Sequence, residues 1–134
     1  MLPVKSALAE VDASGAFVRS ASKFDRRIGS DQLPAVAGRY MLYVSLACPW
    51  ACRTLAVRAL KGLEHAIPVT IVSPRWMATK PQQDAHMGWV FRSRAHASDM
   101  DLLEVPLLEP VFQADSIRAV YEAAEPDVEH EKVR

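Results

Sequence analysis

The stretch YMLYVSLACPWACRTLAVRALKGL, residues 40–63, carries two apolar rhythms in succession, and reading them decides the fold. Residues 40–46 are a nearly unbroken apolar run of strand character. Beyond it Cys52, Leu55, Ala56, Ala59, Leu60 and Leu63 recur at three- and four-residue spacing, which lays one apolar stripe along a helix. Pro49 suits the first helical position, where an N–H would have no partner anyway and a fixed φ is already helical. Gly62 marks the helix end, and Arg53, Arg58 and Lys61 fall between the stripe positions, toward solvent or its edge. Residues 67–72, IPVTIV, form a second short run rich in β-branched side chains, as expected of a buried parallel strand. Strand, helix and strand in this order open an α/β fold.

Cys48 stands at the junction between the first run and the helix. The first-turn N–H groups of a helix have no intrahelical partner and, with the macrodipole, favour an anion, so a thiol at that point is placed as a nucleophile. The layout is that of thioredoxin-like redox proteins. The plainer alternative is an inert cysteine serving as a small buried hydrophobe. Cys52 follows at Cys-x-x-x-Cys spacing and lies on the apolar stripe, so it is expected in the core, with service as a resolving thiol the lesser reading. Trp50, at the helix start, is expected to anchor the turn by packing, and Trp76 to be structural. His65, His86, His96 and His130 make no zinc-ligand spacing with the cysteines, so no metal is expected.

Residues 38–67, GRYMLYVSLACPWACRTLAVRALKGLEHAI, followed by HMGWVF at 86–91, closely resemble the glutathionyl-hydroquinone reductases, the xi class of glutathione transferases. The likeness extends more weakly to GAFVR at 15–19, with the SKF and RRI that follow it, and to SIRAVYEAAEPD at 116–127. The resemblance implies a thioredoxin-like, glutathione-binding α/β domain cut short: a βαβ unit and a following helix, with the family's C-terminal helical domain absent. It implies Cys48 as the catalytic thiol and Trp89 as a contact to glutathione, with Pro49 and Trp50 shaping the turn on the substrate side. Glutathione is then the co-substrate and glutathionyl-hydroquinones the substrates, reduced through a mixed disulfide of Cys48. The family's usual homodimer is carried over with the resemblance. At position 52, where relatives often carry histidine or serine, this chain has cysteine.

Asp115 or Ser116 can cap a second helix whose apolar positions Ile117, Val120, Tyr121 and Ala124 again follow helical spacing, and Glu125-Pro126-Asp127 ends it. In the family the next element is a strand bearing a cis proline that pairs with glutathione, and the sequence stops at Arg134 before such a strand. Val105-Pro106-Leu107-Leu108 imitates it but precedes the second helix, so it is read as an apolar loop or short strand, in a segment, residues 102–112, richer in apolar side chains than a solvated loop. Residues 73–114 are expected to be a long, largely irregular connection. Residues 1–38 read as an extended polar arm, with Arg19, Arg26 and Arg27 on a solvated face, and 39–134 as the partial thioredoxin-like domain.

Sixteen basic and sixteen acidic side chains balance, which leaves no electrostatic footprint for nucleic acid or a membrane surface. No stretch is long or apolar enough to span a bilayer, and no secretory pattern opens the chain. Two cysteines, one at a helix start, suit a reducing cytoplasmic setting. Two other readings remain beside the enzyme: a non-catalytic interaction fragment, and a degenerate truncated product.

Overall fold

A computed structural model of the chain describes residues 12–16, 18, 24–91 and 109–126. Its elements in order are β1 (Leu42–Ser45), α1 (Pro49–Leu60), β2 (Val69–Val72), β3 (Trp76–Ala78), β4 (Met87–Trp89) and α2 (Ile117–Ala124). β1 and β2 pair in parallel with Ser45 opposite Val72, and α1 makes the crossover between them. The βαβ unit expected from the sequence is therefore present. Val44 and Val72, each 2 % exposed, contribute its buried side chains.

α1 begins where Cys48, with extended backbone, hands over to Pro49. At its other end the N–H of Gly62 reaches Ala59 O (3.0 Å) and the N–H of Leu63 reaches Arg58 O (2.9 Å). This doubly bonded C-terminus requires a left-handed residue, and Gly62 supplies it at φ +63°. The face that α1 buries is not the stripe read from the sequence. Cys52, Ala56 and Ala59 are exposed, Leu60 is 85 % exposed, and Leu55 and Leu63 are only half-buried. The side chains turned inward are Ala51, Leu55 and Arg58, and none is fully buried. Among the described residues the sheet beneath it has two strands, too narrow to cover more of the helix. Arg58 departs from its expected solvent position because its guanidinium ties the connection into β2, donating to Ile67 O (2.6 Å) and Glu64 O (3.0 Å).

Residues 73–91 also depart from the irregular connection expected there. β3 and β4 form an antiparallel hairpin with Trp76 opposite Trp89 and Met77 opposite Gly88. Three-residue strands are too short to show alternation, which is why the sequence hid them. Across the hairpin Thr79 binds His86 through both main chain (3.1 Å) and side chain (Oγ1 to Nδ1, 2.9 Å). A Cβ on Gly88 would come within 3.1 Å of the His86 ring and 3.3 Å of Thr79, so the crossing favours glycine.

The main chain after β4 joins the two sheets to the second helix. Val90 O accepts from Ser73 N (2.8 Å) just past β2, Val90 bridges Ser116, and Phe91 N donates to Asp115 O (2.8 Å). Around this crossing lie Val90, Phe91 and Ala114, all buried. The Tyr43 ring meets the Phe91 ring edge-on with centroids 6.2 Å apart, and its hydroxyl donates to Glu109 Oε1 (2.6 Å). Glu109, fully buried, also accepts from the N–H groups of Val111 and Phe112 and so holds the turn at 110–113. Burial opposes its charge, but these donors outweigh burial and keep the carboxyl below its ordinary value. Burial and then the bond to Glu109 push the Tyr43 hydroxyl far up.

Of the two expected caps for α2, Ser116 is the one used, its Oγ accepting from Ala119 N (3.3 Å). The Tyr121 ring on this helix packs at a tilt of 53° against that of Phe24, centroids 4.9 Å apart, so the N-terminal segment touches the second helix. Arg26 and Arg27 are exposed as expected; Arg19 and the Val105-Pro106-Leu107-Leu108 segment lie outside the described residues.

Arg118, 6 % exposed, binds Asp84 with both terminal nitrogens (2.7 and 2.8 Å) and Glu122 through Nε (3.1 Å), while Lys80 also reaches Glu122 (2.6 Å). The Arg118 guanidinium, with the His86 N–H, brings the Asp84 carboxyl down to about 2. A carboxyl lowered by folding stabilises the fold fully above its ordinary value of 3.8, and that contribution is lost as pH falls toward 2. Glu109, also lowered, acts in the same direction. Acid titration followed by far-UV circular dichroism should therefore show stability falling in this window. Asp84→Asn should lower stability at neutral pH and flatten the acid slope without abolishing it; an unchanged slope would show that the pair does not contribute.

Candidate functional site

The four site residues expected from the sequence, Cys48, Pro49, Trp50 and Trp89, fall on two pieces of chain. Cys48 is the N-cap of α1, half-buried, with Pro49 and Trp50 as the first two helical residues. Its N–H donates to Ser45 O (3.0 Å) at the carboxyl end of β1, and its own carbonyl accepts from Cys52 N (3.2 Å). A reverse turn from the strand thus delivers the thiol to the start of the helix. Cys48 makes no side-chain cap, and the first turn holds no acidic side chain, so no carboxylate of that turn competes for an anion there.

Trp89 reaches the same end of the sheet by a separate route. Ser45 Oγ donates to Ser73 O (3.5 Å), and Ser73 N donates to Val90 O, which follows Trp89 directly. Ser45, Ser73 and Val90 are all buried, and this relay lies between the Cys48 turn and the end of β4. Carboxyl ends of parallel strands are where open α/β sheets take ligands. Trp89 is half-buried, and its ring meets that of Trp76 edge-on at 5.6 Å and 88°. Both indoles, with Gly88, His86 and Arg118, line a small open pocket whose lining does not include Cys48.

Two expectations about side chains are overturned. Trp50 does not anchor the turn by burial, being 56 % exposed, and Cys52 is exposed where core packing was expected. The cause is the narrow contact of α1 with the sheet, which leaves most of the first turn facing outward. Among the described residues no group of histidine, cysteine or acidic side chains could hold a metal ion. His96 and His130 lie outside the described residues. Sequence reading missed Ser45 and Ser73 as polar spacers beside the site, because single serines carry no periodic signal. It also missed the pairing of Trp76 with Trp89, for which two tryptophans flanking a short polar loop were the available sign.

No family model matches the chain. The glutathionyl-hydroquinone reductase YqjG of Escherichia coli is 44 % identical over 86 residues, 58 % of this chain and 24 % of that protein. Its glutathione-bound structure superposes with a TM-score of 0.51 at 36 % identity, over 69 % of this chain and 25 % of that one. The glutathionyl-hydroquinone reductase PcpF of Sphingobium chlorophenolicum is 38 % identical over 118 residues, 85 % of this chain and 31 % of that protein. The xi glutathione transferase of Phanerochaete chrysosporium matches with a TM-score of 0.65 and 38 % identity, over 89 % of this chain and 34 % of that structure. The chain thus resembles the xi-class glutathione transferases, the glutathionyl-hydroquinone reductases, over their N-terminal portion only, and its α/β fold is that of their thioredoxin-like domain. It spans about a quarter to a third of the length of these relatives.

The indole pair gives this geometry a direct check. Trp76→Leu should weaken the near-UV circular dichroism of the tryptophans and cost about 0.5–1.5 kcal/mol, the worth of an aromatic pair beyond its burial. An unaltered spectrum would separate the two rings.

Proposed function

We propose that the chain carries the thiol half of a glutathione-dependent reductase acting on glutathionyl-hydroquinones. The observation that supports it most is the position of Cys48, at a helix N-terminus and at the carboxyl end of β1, within a fold shared with glutathionyl-hydroquinone reductases. In this reading the Cys48 thiolate attacks the sulfur of the glutathionyl group. The Cys48–sulfur bond forms as the carbon–sulfur bond to the ring breaks, and the ring carbon takes a proton to give the free hydroquinone. A second glutathione thiolate then attacks the mixed disulfide, leaving as oxidised glutathione and returning Cys48 to its starting state. Two glutathione sulfurs are oxidised to a disulfide and the ring carbon–sulfur bond is reduced, so the electrons balance.

Within that scheme Trp89 contacts glutathione, and Pro49 and Trp50 form the wall of the turn beside the thiol. The catalytic unit is residues 39–134 with 1–38 as an arm, working in the reducing cytoplasm, and the whole reaction draws on the larger part of the family's length that this chain does not span. The reaction is assayed by release of free hydroquinone and of oxidised glutathione, with the mixed disulfide followed by mass. Cys48→Ser should bring both to the uncatalysed rate and remove the adduct; turnover retained in that variant would sink the assignment.

A second reading has its own observation. Trp50, Val57 and Leu60 on α1 are each more than half exposed, which is an apolar surface of the kind that marks protein interaction. Concentration-dependent association without any glutathione chemistry at Cys48 would favour this non-catalytic reading.

A further inference from the structure

We infer that Cys52 is the resolving thiol of Cys48, the two closing into an intramolecular disulfide through the glutathione mixed disulfide; the inference rests on the mixed-disulfide reading above. Cys52 is exposed and is not used in the core, so packing does not account for it. The hydrogen bond from its N–H to Cys48 O (3.2 Å) sets the two residues one helical turn apart. Four residues of helix advance about 6 Å, within the roughly 4.4–6.8 Å between Cα atoms that a disulfide can span.

The direction of the side chains favours closure. In a helix the Cα–Cβ bond tilts toward the N-terminus, so the Cys52 side chain lies over the preceding turn, the one that Cys48 caps. Cys48 has extended backbone (φ −96°, ψ 115°), which leaves its side chain outside the rotamer limits of a helix interior. The burial of the two thiols is unequal in a useful way: Cys48 is half-buried and Cys52 open to solvent. The outer sulfur is therefore the accessible point of attack for a reductant, and the inner one the leaving group.

The exchange proceeds in balanced steps. The Cys52 thiolate attacks Cys48 Sγ in the mixed disulfide; the Cys48–Cys52 bond forms, the bond to glutathione breaks, and glutathione leaves as a thiolate that takes up the proton Cys52 gave. The oxidising equivalent moves from one disulfide to the other without net oxidation. Free glutathione then attacks the exposed Cys52 sulfur and releases Cys48 as thiolate, and a further glutathione clears Cys52 as oxidised glutathione. Compared with a single-thiol cycle, Cys48 is freed without a second glutathione entering the half-buried side of the turn.

The test is intact mass over time for the whole chain after exposure to oxidised glutathione, with digestion by trypsin. Both cysteines fall in one tryptic peptide, residues 40–53. In the wild-type chain the gain of one glutathionyl group should be transient and give way to a form lighter by two hydrogens, located in that peptide. In Cys52→Ser the adduct on Cys48 should persist at least about tenfold longer. An adduct as long-lived in the wild type as in Cys52→Ser, or stable adducts on both cysteines, would overturn the inference. Oxidation by diamide adds a second arm that needs no glutathione: closure within the peptide supports the pair, and disulfide-linked dimers in its place overturn it. Closure by diamide, with no glutathionyl adduct on Cys48 even in Cys52→Ser, would overturn the mixed-disulfide function while the pairing of the two thiols stands.

Discussion

The main chain at Val90 and Phe91 is the constraint on which the rest of the structure depends. These two residues bond on one side to Ser73, past the end of β2, and on the other to Asp115 and Ser116, at the start of α2. Buried main-chain polar groups must be paired, so this short run fixes the spacing of three elements at once. Phe91, 1 % exposed, fills the centre of the crossing. Without it the parallel pair would lose its main-chain tie to the hairpin and the second helix, and each piece is too small to bury an apolar face by itself.

Polar groups carry much of the packing that a larger domain would leave to hydrocarbon. Glu109, Ser73 and Ser116 are completely buried and each is bonded, while the fully buried apolar side chains among the described residues are few. The Arg118 cluster clamps α2 to the loop of the hairpin, and its ion pairs are held between a buried guanidinium and partly exposed carboxylates. Such a core discriminates sharply among arrangements, since a buried donor or acceptor left without its partner costs about 1–3 kcal/mol. Specific hydrogen bonding, more than volume of apolar burial, sets the geometry of this core.

The legible part of the fold was the part with period. Two apolar runs around a proline-started, glycine-ended helix gave the parallel pair and its crossover, and a serine before an amphipathic run gave the second helix with its cap. The hairpin was hidden because its strands are shorter than one full alternation. The face of α1 was misread because periodicity reports that a helix has an apolar side and says nothing about how wide the surface facing it will be; with two strands beneath it, even Leu60 stays in solvent. Cys48 was found from its neighbours in sequence. The serine relay that links it to Trp89 depends on contacts between residues far apart in the chain, and no local pattern announces them.

No residue of α1 is fully buried, so opening this helix breaks few apolar contacts. Local opening costs least where few apolar contacts must be broken, so the helix can fray or lift while the crossing at Phe91 stays closed. Its amides would exchange with solvent ahead of those in β1 and β2, and the thiol-bearing turn would open and close on its own clock. Any ligand or partner that covers Leu60 and Val57 would then bind the closed helix in preference to the open one. By mass action it would slow that clock. Contacts at Leu60 and Val57 would then steady the Cys48 turn without touching the sulfur.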